Sequence, residues 1–320
     1  MNALYNPANR ESLYDYLKML SEKVVDFYAN FDRVLNEQNL FSRGQCSGAP
    51  CDIISAYARL DIPEGEAMLY EPEYNSIPAS AALLAGKKVV SAETFTCIYG
   101  WPDRHIRKEQ TADLKMVADA LFANGVNHIV WHGKAHNPKD QDSVNFYATV
   151  HVGKEGTLAP EIPAFNDYLA AISETMKRGN SYSDVAVYLP TEDAWVNGTM
   201  PKEKQFTPQS PPLLEGDALP PYWAREKNHS LYIFFANPKS GRLTFPVGYG
   251  QSFSYKLKTV DVVLDYDGKE YELNLRFEPY QSLLYKIENG TIEEIDISFL
   301  PEVPVVREIP ADNDAPWLVK

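Results

Sequence analysis

The feature that most constrains this fold is a change in the hydrophobic pattern near residue 190. Before it, short apolar runs alternate with segments of helical periodicity; from about residue 222 the runs are all strand-like and separated by turn signals. Strands that alternate with helices are typical of a parallel sheet or barrel, whereas strands joined by hairpins form antiparallel sheets. The pattern therefore predicts an α/β unit followed by an all-β unit.

The α/β unit begins with an amphipathic helix at about residues 11–40, whose apolar residues recur at steps of four and three. Strand and helix patterns then alternate, and one helix starts at Pro163 and stops at Gly179. We count about five or six strand patterns, which is fewer than the eight of a closed TIM-type barrel. The sequence thus predicts a partial (β/α) TIM-type barrel, a catalytic-type domain, over residues 1–190.

The second unit carries hairpin signals. Asp267-Gly268 and Asn289-Gly290 each lie between strand-like runs, and both dipeptides favour tight β-turns. We expect an antiparallel β-sandwich-like domain over residues 222–308. A Pro-rich linker over residues 191–221 would precede this domain, and a tail over residues 309–320 would follow it.

Charge limits the partners. The chain has 30 basic and 44 acidic residues and a formal net charge of −14, which argues against nucleic acid or an anionic membrane and suits a carbohydrate. No stretch approaches the ~18 apolar residues of a membrane helix. No signal peptide is visible, so the chain would be cytoplasmic if Met1 is the natural start. An incomplete barrel would also expose sheet edges and favour self-association.

Ligands of parallel α/β sheets and barrels bind at the carboxyl ends of the strands. Two carboxylates that flank a sugar bond can act as the acid and the base or nucleophile of glycoside hydrolysis. Neighbouring strands lie ~4.8 Å apart, so carboxylates at adjacent strand ends can face one sugar. The candidate catalytic residues are Glu93, which closes a strand, and Glu66 and Glu64. The last two lie, with Asp61, around the entry to the preceding strand, so the pattern leaves open at which end of the barrel they stand. The candidate substrate-binding residues are Gln45, Asp61, Trp131, His132 and His136.

Four of these candidates also have an explanation that needs no function. Glu93 could be a charge at the rim of the sheet, His132 a hydrogen-bonded core histidine, and Asp61 and Glu64 parts of a solvated turn. The three cysteines form neither a disulfide framework nor a zinc motif. Phosphate loops, nucleotide-binding fingerprints and the serine-nucleophile elbow are absent from the sequence. The residues alone therefore assign no cofactor and no metal.

The stretches at residues 43–66, 80–96 and 114–136 resemble, in order, the α-L-rhamnosidase-like glycoside hydrolases. The resemblance implies a (β/α)₈ catalytic barrel with accessory β domains that releases sugars such as rhamnose from glycans. It matches Glu93 to the family's strand-end glutamate, and Glu64 and Glu66 to its Pro-Glu-x-Glu stretch. A calcium ion near the sugar is a further implication of this analogy.

The chain also departs from that family. Its members carry another half-barrel before the first helix and an extra α/β segment near residues 201–216, so the resemblance implies a truncated and internally deleted relative. Two hypotheses follow. One is a glycosidase, retaining or inverting, that acts on a glycan or oligosaccharide; the other is a non-catalytic carbohydrate-binding or structural remnant of such an enzyme.

Overall fold

The computed structural model describes most of the chain. The ranges are 9–47, 51–101, 105, 107–134, 150–154, 156–183, 190–197, 213–243, 245–253, 256–299 and 301. Within them lie a four-stranded parallel sheet and two antiparallel sheets of three and five strands. The predicted combination of mixed α/β structure and antiparallel sheets is confirmed. The sequence also predicts strands at residues 145–152 and 183–190, and most of both, like the tail from residue 309, lie outside the described residues.

The α/β unit alternates strands and helices as its sequence pattern predicts. Its elements are α1 (Arg10–Glu37), β1 (Arg43–Gly44), α2 (Ile53–Tyr57), β2 (Ile62–Ala67), α3 (Ser76–Leu84), β3 (Ser91–Thr94), α4 (Thr111–Phe122), β4 (His128–Trp131) and α5 (Ile162–Met176). The four strands pair in parallel in the order β1-β2-β3-β4. None of the helices in the described ranges is long and apolar enough to span a membrane.

The register of the parallel sheet places its glutamates on one face. Glu64 pairs with Ser91 and Glu66 with Glu93, and residues two apart in a strand point to the same side. Gly65 lies on the opposite side, where an added Cβ would come within 1.9 Å of the Asn75 side chain just before α3. The glutamates therefore point away from helix α3.

The remaining elements are mostly antiparallel strands. They are β5 (Asn180–Ser181), α6 (Thr191–Asn197), β6 (Leu214–Glu215), β7 (Tyr222–Lys227), β8 (Ser230–Phe235), β9 (Lys258–Tyr266), β10 (Lys269–Phe277), β11 (Leu283–Glu288) and β12 (Thr291–Glu294). One sheet has the order β10-β9-β6 and the other β12-β11-β8-β7-β5. A single apolar cluster contains residues of both sheets, among them Phe235 and Leu264. The sheets therefore share one core.

Both hairpin predictions are confirmed. Asp267-Gly268 joins β9 to β10, and Asn289-Gly290 joins β11 to β12. All four turn residues have a positive φ, between 52° and 81°. Asn, Asp and Gly are the residues that adopt this left-handed conformation at the lowest cost.

Two elements lie close to the predicted unit boundary. The segment expected to be a linker contains helix α6, which follows Pro190 and has Glu192 and Asp193 in its first turn, where negative charge stabilises a helix. Strand β5 lies before residue 190 but pairs with β7 of the antiparallel sheet. The guanidinium of Arg225 secures that segment through the carbonyl of Gly179 at 2.8 Å, a contact that no sequence periodicity reveals.

A buried polar cluster joins the two units. Lys115 of α4 donates to the Asp119 carboxylate and to the carbonyl of Tyr280, both at 2.7 Å. Asp119 also accepts from the Tyr168 hydroxyl of α5 at 2.5 Å and from the Ser282 hydroxyl at 2.7 Å. The Lys115 and Asp119 side chains are each only 2% exposed, so removing either partner would leave the other charge buried.

We expect Asp119→Ala to lower the free energy of unfolding by about 3–5 kcal/mol, because it leaves the Lys115 ammonium without its counter-ion. Urea unfolding would measure this loss. The double variant Lys115→Met/Asp119→Ala should regain much of it, since the unpaired charge is gone.

The exposed pair Arg33–Glu37 has the same i,i+4 spacing and supplies the control. Glu37→Ala should cost at most about 0.5 kcal/mol. Equal losses for Asp119→Ala and Glu37→Ala would show that the buried cluster does not stabilise the fold.

Candidate active site

Glu93 is the centre of a hydrogen-bonded group at the carboxyl end of β3. Gln45 Nε2, just after β1, donates to Glu93 Oε2 at 2.8 Å. Thr96 Oγ1 donates to Glu93 Oε1 at 2.9 Å. His132 Nδ1, just after β4, lies 3.1 Å from the same oxygen. The Glu93 side chain is nevertheless 32% exposed, so its orientation is fixed while it remains accessible to a ligand.

Glu66 lies beside Glu93 on the neighbouring strand and is only 4% exposed. The backbone N–H groups of Leu69 and Tyr70 donate to its Oε1 and Oε2 at 3.2 and 3.1 Å. Burial raises the pKa of Glu66 to about 7, the negative charge of Glu93 adds to the increase, and the two amide bonds oppose it. Near neutral pH this carboxyl group can therefore hold or release a proton.

Glu64 occupies a separate position, one step toward the amino end of β2. Its Oε2 accepts from Ser91 Oγ at 2.7 Å and lies 3.1 Å from Arg43 Nε. The Arg43 guanidinium partly neutralises the charge of the Glu64 carboxylate, which has hydrogen-bond partners different from those of Glu93. Of the two glutamates predicted as a partner for Glu93, the structure brings Glu66 beside it.

Two other predicted site residues lie apart from Glu93. Asp61 precedes β2, where it accepts from the backbone N–H of Ser42 at 3.2 Å and lies 3.4 Å from Lys87 Nζ. It is therefore at the opposite end of the strand from Glu66. Trp131 pairs with Thr94, on the other face of the sheet from Glu93.

The Trp131 ring contacts Phe95 and Phe165 at centroid distances of 4.9 and 5.7 Å. Its indole nitrogen donates to Asn166 Oδ1 at 3.1 Å. The ring is packed against the hydrophobic core and is not part of the group around Glu93, because successive residues of a strand point to opposite faces. His136 lies outside the described residues.

Sequence reasoning missed Thr96, which contacts both Glu93 and His132; its Oγ1 lies 2.8 Å from His132 Nδ1. The preceding residue, Phe95, has a φ of 80°, a conformation that is strained for an aromatic residue and that ends the strand. The turn allows the side chain of Thr96 to reach back to Glu93. Thr96 lies three residues after Glu93, in the turn that follows the strand. The sequence pattern does not reveal that this turn brings the two side chains together.

The described part of the chain offers no cluster of three or more His, Cys, Asp or Glu side chains that could hold a metal ion. Calcium takes about 6–8 oxygen ligands, whereas both oxygens of Glu93 already accept hydrogen bonds from neighbouring side chains. The calcium ion implied by the resemblance stays a prediction.

Comparison with known proteins identifies relatives of this chain. A family model described as alpha-L-rhamnosidase matches residues 6–212. A curated protein of Formosa agariphila named "Putative beta-glucuronidase" is 25% identical over 204 residues, which is 61% of this chain and 17% of that protein.

A solved structure of a rhamnosidase from Novosphingobium sp. PP1Y covers 92% of this chain with a TM-score of 0.63 and 13% identity, a likeness that concerns the fold alone. This chain spans 41% of that rhamnosidase. The family model matches more than half of the chain and agrees with the sequence resemblance. The chain therefore belongs to the alpha-L-rhamnosidase family of glycoside hydrolases, family 106.

Proposed function

We propose that the chain hydrolyses a glycosidic bond in a glycan or oligosaccharide, with rhamnose as the released sugar. The observation that carries the proposal is the pair of carboxyl groups at the strand ends: Glu66, with a pKa raised to about 7, beside the accessible and oriented Glu93. Glycosidases use two such carboxyl groups in different protonation states. Family membership supports the same reaction class.

The proposed architecture is an arc of a TIM-type barrel over about residues 1–190, joined to a sandwich-like β domain over about residues 222–308. Two observations support the arc. The four parallel strands are neighbours in chain order, and Asn75, just before helix α3, packs against Gly65 on the face of the sheet opposite to the glutamates. In a (β/α) barrel the helices form the outer ring and the active site is at the carboxyl ends of the strands. Glu66 and Glu93 lie near those ends.

In this proposal Glu66 is the general acid. Burial raises its pKa to about 7, so about half of the molecules carry the proton near neutral pH and can donate it to the oxygen of the leaving group. Glu93 then acts as the base that activates water or as the nucleophile. The hydrogen bonds from Gln45 and Thr96 hold its carboxylate in a fixed orientation, which reduces the reorganisation needed in the transition state.

A second candidate is a carbohydrate-binding remnant without catalysis. The observation that favours it is the burial of Glu66, which is only 4% exposed, because a general acid has to reach the leaving oxygen of the substrate. In that case Glu93, Gln45 and His132 would bind sugar hydroxyl groups without cleaving the glycosidic bond. Hydrolysis assays discriminate between the two.

We expect the chain to hydrolyse 4-nitrophenyl α-L-rhamnoside. Glu93→Gln should lower kcat/KM by about 100-fold or more, because an amide is neither a base nor a nucleophile. Glu66→Gln should impair hydrolysis of methyl α-L-rhamnoside more than that of the nitrophenyl compound, because a poor leaving group depends more on protonation.

Glu73→Gln removes an exposed carboxylate and serves as the control, with activity near that of the wild type. An active wild type with an equally active Glu93→Gln would exclude Glu93 from the mechanism. A wild type that binds rhamnose but cleaves no glycoside would favour the remnant.

The pKa of Glu66 also predicts how stability depends on pH. Its folded pKa of about 7 lies above the unfolded value of about 4.3, so the wild type loses stability as the pH rises through 7. Glu66→Gln cannot ionise. The free energy of unfolding of the variant minus that of the wild type should therefore increase by about 2–3 kcal/mol between pH 5 and pH 8.

Urea unfolding at pH 5 and pH 8, with Glu73→Gln as the matched control, tests whether the stability difference increases with pH. A difference between variant and wild type that stays constant over this range would mean that Glu66 titrates at its ordinary pKa.

A further inference from the structure

We infer that the stacked pair Tyr70–Tyr74 forms the subsite that binds the leaving group of the glycoside. The tyrosine rings would contact a flat apolar face of that group, such as an aryl ring or the C–H face of a sugar. The inference rests on the proposed function, because it takes Glu66 as the acid that protonates the leaving oxygen. It goes further by assigning a substrate-binding role to residues outside the Glu93 group and by giving the substrate a direction across the sheet.

The first support is a direct bond between the tyrosine pair and the proposed acid. The backbone N–H of Tyr70 donates to Glu66 Oε2 at 3.1 Å, and that of Leu69 donates to Oε1 at 3.2 Å. The position of Tyr70 is thus tied to the carboxyl group that would protonate the leaving oxygen. A group attached to that oxygen would have to lie close to this segment.

The second support is the exposure of the segment. Tyr70 is 40% exposed and Leu69 is 47% exposed, although the adjoining residues Glu66 and Met68 are buried. The rings of Tyr70 and Tyr74 lie 4.6 Å apart at an interplanar angle of 19°. Stacking on Tyr74 restrains the Tyr70 ring, and a restrained, accessible aromatic surface binds a flat apolar group at low entropic cost.

The third support is the position of the pair relative to Glu93. Tyr74 interacts with Ser47 and Cys46, which follow β1. Gln45 of the same segment donates to Glu93 Oε2 at 2.8 Å, so the residues that follow β1 connect the tyrosine pair to the Glu93 group. A glycoside bound across these strand ends would place its leaving group over the tyrosines and the released sugar toward Glu93.

Steady-state kinetics of the full chain on two substrates test the subsite. We expect Tyr70→Ala to raise KM for 4-nitrophenyl α-L-rhamnoside by about five- to tenfold, with a much smaller change for methyl α-L-rhamnoside, whose leaving group is small. Tyr70→Phe keeps the ring and should restore KM. Tyr16 on α1 is 38% exposed, so Tyr16→Ala is the matched control and should leave both values unchanged.

Saturation-transfer NMR with 4-nitrophenyl α-L-rhamnoside separates this inference from the proposed hydrolysis. We expect the aryl protons to receive strong saturation in the wild type and in Tyr70→Phe, and weak saturation in Tyr70→Ala, whether or not the chain cleaves the bond. Unchanged aryl saturation and unchanged KM in Tyr70→Ala would overturn the subsite while leaving hydrolysis intact. A wild type that neither binds nor cleaves the compound would overturn both proposals.

Discussion

The pairing register of β2 with β3 is the constraint on which the candidate site depends. Glu66 lies opposite Glu93, and side chains alternate between the faces of a strand with a period of two. A slip of one residue would turn Gly65 toward Glu93 and drive Glu66 into the layer occupied by α3. The close contact that leaves room only for glycine at position 65 opposes that slip.

Burial next to a second negative charge gives Glu66 its distinct chemistry. A carboxylate in this position is disfavoured by desolvation and by the charge of Glu93, and two backbone amides offset part of that cost. Glu93 is accessible and accepts hydrogen bonds from the side chains of Gln45, which follows β1, and Thr96, which follows β3. Two identical residue types on adjacent strands therefore have different environments, which is the condition for different roles in proton transfer.

The parallel sheet is held to the antiparallel unit by polar contacts as well as by a shared core. Phe122 of α4 contacts Phe234 of β8 at a centroid distance of 5.7 Å, and the cluster around Lys115 and Asp119 reaches across to Ser282. Apolar contacts tolerate small shifts, whereas a buried ion pair requires specific geometry. The combination fixes one arrangement of the two units.

The sequence by itself determined the alternation of helices and strands, the two hairpin turns and the strand-end position of Glu93, because periodicity and turn chemistry are local properties. It left open at which end of its strand Glu66 lies, and the structure places Glu66 near the carboxyl end of β2. The family resemblance could likewise be read from short stretches in order. Only the tertiary structure decided that Glu66 rather than Glu64 adjoins Glu93 and that Trp131 faces the core. It also brought Thr96 and Tyr70 to the site, because register, burial and turns at positive φ depend on contacts between residues distant in the chain or on conformations that residue type alone does not fix.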